Sequence, residues 1–133
     1  MEAHAAIAPA LSAEDVHLRR LAAAALEDTS AAEAAVAISK AIDDEDATVR
    51  MNALWALGRL DPERAVPILA RYLSQPEAEQ RPPHMPLARV RTWAARALAH
   101  AGTPEAKQAL LDAREQTPFH RRWGLNRALR RFP

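Results

Sequence analysis

Four short segments of the sequence share one pattern of spacing, and this repetition constrains the fold more than any other feature. In each segment, an arginine preceded in most cases by an apolar residue is followed by small and large apolar residues at fixed offsets. The starting pairs are Leu18-Arg19, Val49-Arg50, Val90-Arg91 and, in weaker form, Arg121-Arg122. They begin 31, 41 and 31 residues apart, which indicates a repeat of 31 residues with one insertion of 10.

The insertion is a proline-rich segment, Ser74 to Pro86, which contains Pro76, Pro82, Pro83 and Pro86. Proline lacks a backbone N–H and interrupts regular helices. We expect the segment to project from the repeats as a loop, because insertions are tolerated where they disturb no packed helix. Whether this loop also contacts a partner is left open by the sequence.

Each copy of the pattern predicts a helix, because its apolar residues fall at i, i+4, i+7 and i+8 and so share one face. A second helix is predicted after each of the first three copies, and its start is signalled by an N-cap side chain, in two cases with proline behind it. These starts are Ser30-Ala31-Ala32, Asp61-Pro62-Glu63 and Thr103-Pro104-Glu105. The second helices are expected to bury Ala34, Ala37, Ile38 and Ala41, then Ala65, Ile68, Leu69 and Tyr72, then Ala106, Ala109, Leu110 and Ala113.

A single helix pair of this kind buries too little apolar surface to be stable alone, so neighbouring pairs must stack. The sequence therefore predicts an all-α fold, a short right-handed α-solenoid of about three helical hairpins plus a C-terminal capping helix. We expect one domain over residues 1–133 and seven principal helices. The repeats are placed at about residues 12–42, 43–73 and 86–116, with the cap at 117–133.

The second repeat carries a family resemblance. Its residues Asp46-Ala47-Thr48-Val49-Arg50, then Ala53, Ala56, Leu57, Gly58 and Leu60, then Ala65-Val66-Pro67 and Leu69 resemble the HEAT-like repeats of the phycobilisome-lyase type. The resemblance covers about residues 12–132 and implies a fold rather than a particular partner. It also implies first helices on a convex side, second helices on a concave side, and ladders of Asp and Arg between repeats.

For those ladders, Asp15 with Arg19 and Asp46 with Arg50 match the family positions. The third and fourth copies have Leu87 and Pro118 where the family has Asp, so the ladder is not expected to be continuous.

Charge is divided unevenly along the chain. Residues 1–63 carry 5 basic and 12 acidic side chains, a net −7, whereas residues 64–133 carry 13 basic and 5 acidic, a net +8. We expect the basic C-terminal end to attract an anionic partner.

No motif indicates catalysis, a metal site or a cofactor. The five histidines lack the spacing of metal ligands, and neither a glycine-rich phosphate loop nor a nucleophile turn is present. The histidines are His4, His17, His84, His100 and His120.

No stretch reaches the roughly 18 to 20 apolar residues of a membrane span, and the chain has no Cys, which favours a reducing compartment. We therefore predict a cytoplasmic protein that is not an enzyme and does not enter a membrane. Handling of a small molecule or chromophore is a distant alternative.

A stripe of basic and aromatic residues follows one helical face, with Arg89, Trp93, Arg96 and His100 in the third repeat and His120, Gly124, Arg127 and Arg131 on the last helix. Such a surface could bind phosphates or carboxylates, with Arg as donor and Trp as a stacking platform. The competing interpretation is that Trp55 and Trp93 pack between successive first helices, while the arginines are solvated or belong to ladders.

We predict a non-catalytic protein-interaction scaffold or adaptor whose partner is another protein with an acidic patch. Two surfaces are candidates. One is the second-helix surface, with Arg64, Arg71 and Tyr72, and the other is the basic C-terminal end, with Arg127, Arg130 and Arg131. The alternative is nucleic-acid binding through Arg89, Arg96 and the same C-terminal arginines, beside Trp93.

Overall fold

The computed structural model describes residues 2–26, 32–79 and 81–133, and side chains within 7–26, 37–79 and 81–133. Its regular elements are all helices, and no strand occurs in these ranges. They are α1 (Glu2–Leu11), α2 (Val16–Ala25), α3 (Ala32–Ala41), α4 (Ala47–Leu60), α5 (Pro62–Ser74), α6 (Leu87–Ala101), α7 (Pro104–Gln116), a short 3-10 helix (Phe119–Arg121) and α8 (Trp123–Leu129). The prediction of seven principal helices did not include α1, and the described ranges contain eight α-helices.

The predicted helix starts are observed where the structure describes them. Asp61 caps α5 by accepting a bond of 3.3 Å from the Arg64 N–H, and Thr103 caps α7 by accepting one of 3.2 Å from Ala106. Proline is the first residue of both helices, where its missing N–H costs nothing. The predicted start at Ser30 and Ala31 lies outside the described residues.

Gly102 ends α6 with φ of +71°, a left-handed conformation that glycine adopts without the steric cost of a Cβ. This turn reverses the chain between α6 and α7.

Two compact units make up the chain, Met1–Leu60 and Asp61–Pro133. In the first unit α2 packs against α4, α1 packs against α2 and α3, and α3 packs against α4. Its buried apolar side chains include Leu11, Ala22, Ala23, Leu26, Ile38, Ala41, Val49, Ala53, Leu54, Ala56 and Leu57. Leu18, predicted to lie on the buried stripe, is 45% exposed instead. The predicted burial of Ala34 concerns a side chain outside the described ones.

The second unit repeats this arrangement with its own helices. α6 packs against α8 and α5 packs against α7. In addition, α6 contacts both α5 and α7, and α7 contacts α8. Its core contains Ala65, Val66, Leu69, Tyr72, Val90, Ala94, Ala97, Leu98, Ala106, Leu110, Leu125 and Ala128. Ile68, Ala109 and Ala113, also predicted to be buried, are only half-buried. In both units, first helices of successive repeats pack on each other, as do second helices. The single domain and the repeat boundaries remain predictions.

The repeated arginine of the pattern holds the turn in front of its own helix. The Arg19 guanidinium donates to the carbonyl of Ala13 at 2.8 Å, and Arg122 donates to that of Thr117 at 2.7 Å. Arg50 likewise donates to the carbonyl of Asp44. The fourth equivalent, Arg91, lies instead near Glu77 of the insertion, at 3.8 Å between Nη2 and a carboxylate oxygen.

Ion pairs join the first two repeats, but not through the predicted partners. Arg19 lies 3.0 Å from the Asp44 carboxylate and 3.3 Å from that of Glu45, and both acids belong to the turn before α4. Asp46 pairs at 2.7 Å with Arg20 rather than with Arg19, the arginine at the family position of the preceding repeat. It also accepts the Val49 N–H, which holds it at the start of α4 opposite α2. Hydrogen bonding by Arg20 holds the pKa of Asp46 below its usual value.

The proline-rich insertion is partly packed, which corrects the expectation that it simply projects. Pro76 is fully buried, and the Glu79 carboxylate lies 3.3 Å from Nε of Arg71 on α5. Pro83 and His84, further along, are exposed. Only the later part of the insertion therefore behaves as a surface loop.

Candidate functional site

The nine residues predicted to bind a partner fall on three parts of the second unit. α5 carries Arg64, Arg71 and Tyr72, α6 carries Arg89, Trp93 and Arg96, and the C-terminal segment carries Arg127, Arg130 and Arg131. All seven arginines of this set are exposed. The two aromatic residues are not.

Tyr72 lies in the core rather than on the second-helix surface. Its exposed fraction is 2%, and its ring meets that of Trp93 edge to face, with centroids 5.4 Å apart and planes at 78°. Such T-shaped pairs are a favoured aromatic geometry. Trp93 is half-buried and packs against α5, a second helix. The interpretation that Trp55 and Trp93 also pack between successive first helices stays a prediction. Neither ring is available as an open stacking platform.

A third tryptophan, Trp123 at the start of α8, is 69% exposed. The Arg127 guanidinium carbon stands 5.3 Å from the centre of the Trp123 ring, within the range of a cation–π interaction. A shallow cavity of about 250 Å³ is lined by Trp123, Asn126, Arg127 and Arg130. We call these four residues the end cluster.

The spacing of residues on α8 explains why these side chains point outward. Leu125 and Ala128 are buried where α8 packs on α6 and α7. Residues 123, 127 and 130 follow one another at i, i+4 and i+7, so they share the opposite face of the helix. Arg122 steadies the turn before α8 through its bond to the Thr117 carbonyl.

The chemistry of the end cluster suits an anionic, partly apolar surface. Two guanidinium groups supply donors in a planar fork that matches carboxylates or phosphates. The exposed indole adds apolar area, and no acidic residue lines the cavity to compete for the arginines. Arg130 and Arg131 extend the positive charge beyond the helix.

Comparison with known families agrees with the stacking of like helices described above. Residues 5–81 match the family model described as HEAT repeats, and this range is more than half of the chain. The protein belongs to the HEAT-repeat family. A second model, described as PBS lyase HEAT-like repeat, matches residues 90–116. No curated protein matches the chain.

With this membership, the predicted all-α fold of the HEAT-like solenoid class is confirmed. HEAT repeats generally serve as protein-interaction scaffolds and are generally non-catalytic. Within residues 2–26, 32–79 and 81–133, no helix is both long and apolar enough to cross a bilayer. The same part of the chain contains no group of three or more His, Asp or Glu residues placed to hold a metal ion.

Trp123 is the residue of this HEAT-repeat protein that sequence reasoning missed. The stripe was drawn through His120, Gly124 and Arg127, one residue away from the exposed indole. The signal was present in the spacing i, i+4 and i+7 of Trp123, Arg127 and Arg130. It is obscured because the 3-10 turn Phe119–Arg121 shifts the start of α8 to Trp123, well inside the cap predicted at 117–133.

Proposed function

We propose that this HEAT-repeat protein is a non-catalytic, cytoplasmic scaffold or adaptor that binds a protein with an acidic patch through the end cluster and Arg131. The observation that supports this most is the exposed Trp123 ring, with Arg127 stacked 5.3 Å from its centre and Arg130 beside it. Trp and Arg are among the residue types that contribute most of the binding energy at protein interfaces.

The second-helix surface is a weaker candidate for the partner site. Arg71 already lies 3.3 Å from Glu79, and Tyr72 is buried. The equivalent exposed positions on α7 are Glu105, Gln108 and Asp112, so the surface carries both signs of charge. An acidic partner gains less there than at the end cluster.

Nucleic-acid binding through the same end cluster is a second candidate. An exposed indole beside arginines can stack a base and pair with a phosphate, as in single-strand binding sites. Arg89 and Arg96 are exposed on α6 and could add phosphate contacts. The two functions differ in their response to salt, because phosphate contacts release bound counterions.

Charge-reversal substitutions distinguish among the three candidate binding surfaces. Arg127→Glu with Arg130→Glu should abolish capture of proteins from a nuclease-treated lysate at low salt, with helicity unchanged because both side chains are exposed. The pairs Arg64→Glu with Arg71→Glu, and Arg89→Glu with Arg96→Glu, change net charge by the same amount and serve as matched controls. They should retain capture within about twofold, as residues outside an interface do.

Loss of capture in the Arg64 and Arg71 pair alone would return the second-helix surface to first place. Binding of a single-stranded oligonucleotide and of a glutamate-rich peptide, each followed across a salt series, tests the second candidate. A steep salt slope for the oligonucleotide, with tighter binding than the peptide, would favour nucleic acid over an acidic protein.

A further inference from the structure

One contact within the second unit shows how consecutive first helices meet. A Cβ placed on Gly124 of α8 would lie 3.8 Å from the Thr92 hydroxyl of α6. By the 31, 41, 31 spacing, Thr92 is the equivalent of Trp123, and Gly124 is the equivalent of Leu21. Where α6 stacks on α8, the position of Trp123 therefore faces the position of Leu21.

The ion pairs of the first unit likewise join one first helix to the start of the next. Arg19 and Arg20 of α2 reach forward to Asp44, Glu45 and Asp46 in the turn before α4. Thirty-one residues before Glu45 and Asp46, the sequence has Glu14 and Asp15, and both are exposed. The equivalent of Arg19 on the last repeat is Arg122. The turn before α2 thus carries acidic residues at the positions that form ion pairs with a preceding repeat. Beside the end cluster, Arg122 occupies the position of the arginine that forms such pairs.

Exposed apolar residues mark the same two surfaces. Leu18 and Leu21 on α2 are 45% and 70% exposed, and Trp123 and Phe119 are the other two large apolar side chains exposed in the described part of the chain. We call Glu14, Asp15, Leu18 and Leu21 the leading face. It combines apolar and acidic groups, whereas the end cluster combines an indole with arginines.

The two units also have opposite net charge, and the helix types of α8 and α1 fit the order of the repeat. Residues 1–60 carry 5 basic and 10 acidic side chains, a net −5, and residues 61–133 carry 13 and 7, a net +6. α8 is a first helix, and α1 packs in its unit as a second helix does, against α2 and α3. α8 followed by α1 of another molecule would therefore continue the alternation of first and second helices.

We propose that the acidic protein bound by the end cluster is a second copy of this chain, which docks through its leading face. Trp123 of one copy lies on Leu21 of the other, as Thr92 lies on Gly124, and Arg122 approaches Glu14. The contact is heterologous, since each copy offers a different surface. This inference rests on the proposed function, because it assigns a partner to the same end cluster.

Engineered cysteines test the predicted contact directly, because the chain has no native Cys. Trp123→Cys and Leu21→Cys variants of different mass are mixed at about 1 mM, because both changes weaken the contact itself. Under mild oxidation they should give a disulfide-linked mixed dimer at least about tenfold above either self-linked dimer, since a disulfide needs Cα atoms within about 7 Å. Gln108→Cys, exposed on α7, replaces Leu21→Cys in the control mixture. Equal yields of the mixed and control dimers would overturn the contact.

Sedimentation equilibrium supplies a second test, over about 1 µM to 1 mM protein, the range of weak to moderate association. The unsubstituted chain should associate, and Trp123→Ala and Leu21→Glu should each reduce association at least about tenfold when alone, as loss of a central contact does. Mixing the two variants should restore a one-to-one dimer, because one retains the leading face and the other the end cluster.

A chain that stays monomeric throughout this range contradicts self-association. So does a Leu21→Glu variant that dimerises as strongly as the unsubstituted chain, since the end clusters would then be meeting each other. If a monomeric chain still captures an acidic protein in a manner that needs Arg127 and Arg130, only the identity of the partner is wrong, and the proposed function stands. Capture of an oligonucleotide alone would instead favour the second candidate function.

Discussion

At the scale of single residues, equivalent positions of the repeat perform different tasks. The side chain of Arg19 is 9% exposed and bonds to two backbone carbonyls and two carboxylates, whereas that of Arg91 is 47% exposed and approaches one exposed acid. A buried guanidinium paired with a carboxylate is costly to remove, because the remaining carboxylate stays behind without its charge partner.

We predict that Arg19→Ala lowers the free energy of unfolding by about 3 kcal/mol, the range for breaking a buried pair. Arg91→Ala, at the equivalent position, should cost less than about 1 kcal/mol, as for exposed pairs. Urea unfolding followed by circular dichroism measures both. Equal losses would mean that the Arg19 network adds nothing beyond a surface contact.

The sequence predicted the residue types of these networks but not their pairing. The spacing placed Arg19 and Asp46 at family positions, yet the pair that forms is Arg20 with Asp46, since a one-residue step rotates a side chain about 100° around a helix. Tyr72 shows the same limit. It was predicted on the buried stripe and also near a binding surface, and only packing against Trp93 decides for the core.

At the scale of elements, α1 was missed although its sequence carries a signal. Ala3, Ala6, Ile7 and Ala10 precede Ala34, Ala37, Ile38 and Ala41 by 31 residues, so α1 has the apolar spacing of a second helix. The repeated pattern depends on the arginine that marks first helices, and no such arginine precedes α1 in this sequence. The starts of α5 and α7 were predicted correctly, because an N-cap followed by proline acts locally.

The insertion gives the element-scale prediction. Pro76→Ala should lower the free energy of unfolding by about 1 to 2 kcal/mol, because a fully buried ring is lost from the packing under the segment. Pro83→Ala, at an exposed position of the same insertion, should change it by about 0.5 kcal/mol or less. Thermal melts of both variants check this, and similar losses would show that the first half of the insertion is not packed.

At the scale of the whole molecule, the uneven charge predicted from the sequence coincides with the two compact units. The first unit is acidic and the second basic. Charge could be read from composition alone, whereas the exposed indole at the basic end could not, since its exposure depends on how the 3-10 turn orients α8. In the function we propose, charge draws an acidic partner toward the second unit, and the end cluster adds apolar contact area.

Fluorescence of Trp123 alone tests whether the end cluster is the partner site. Trp55→Phe with Trp93→Phe leaves Trp123 as the single tryptophan, and circular dichroism checks that the helices remain. On saturation with a glutamate-rich peptide at low salt, we predict that Trp123 emission shifts to shorter wavelength and that quenching by acrylamide falls at least about twofold, because the indole leaves water. Saturable peptide binding that leaves both the emission and the quenching of Trp123 unchanged would contradict a partner site at the end cluster.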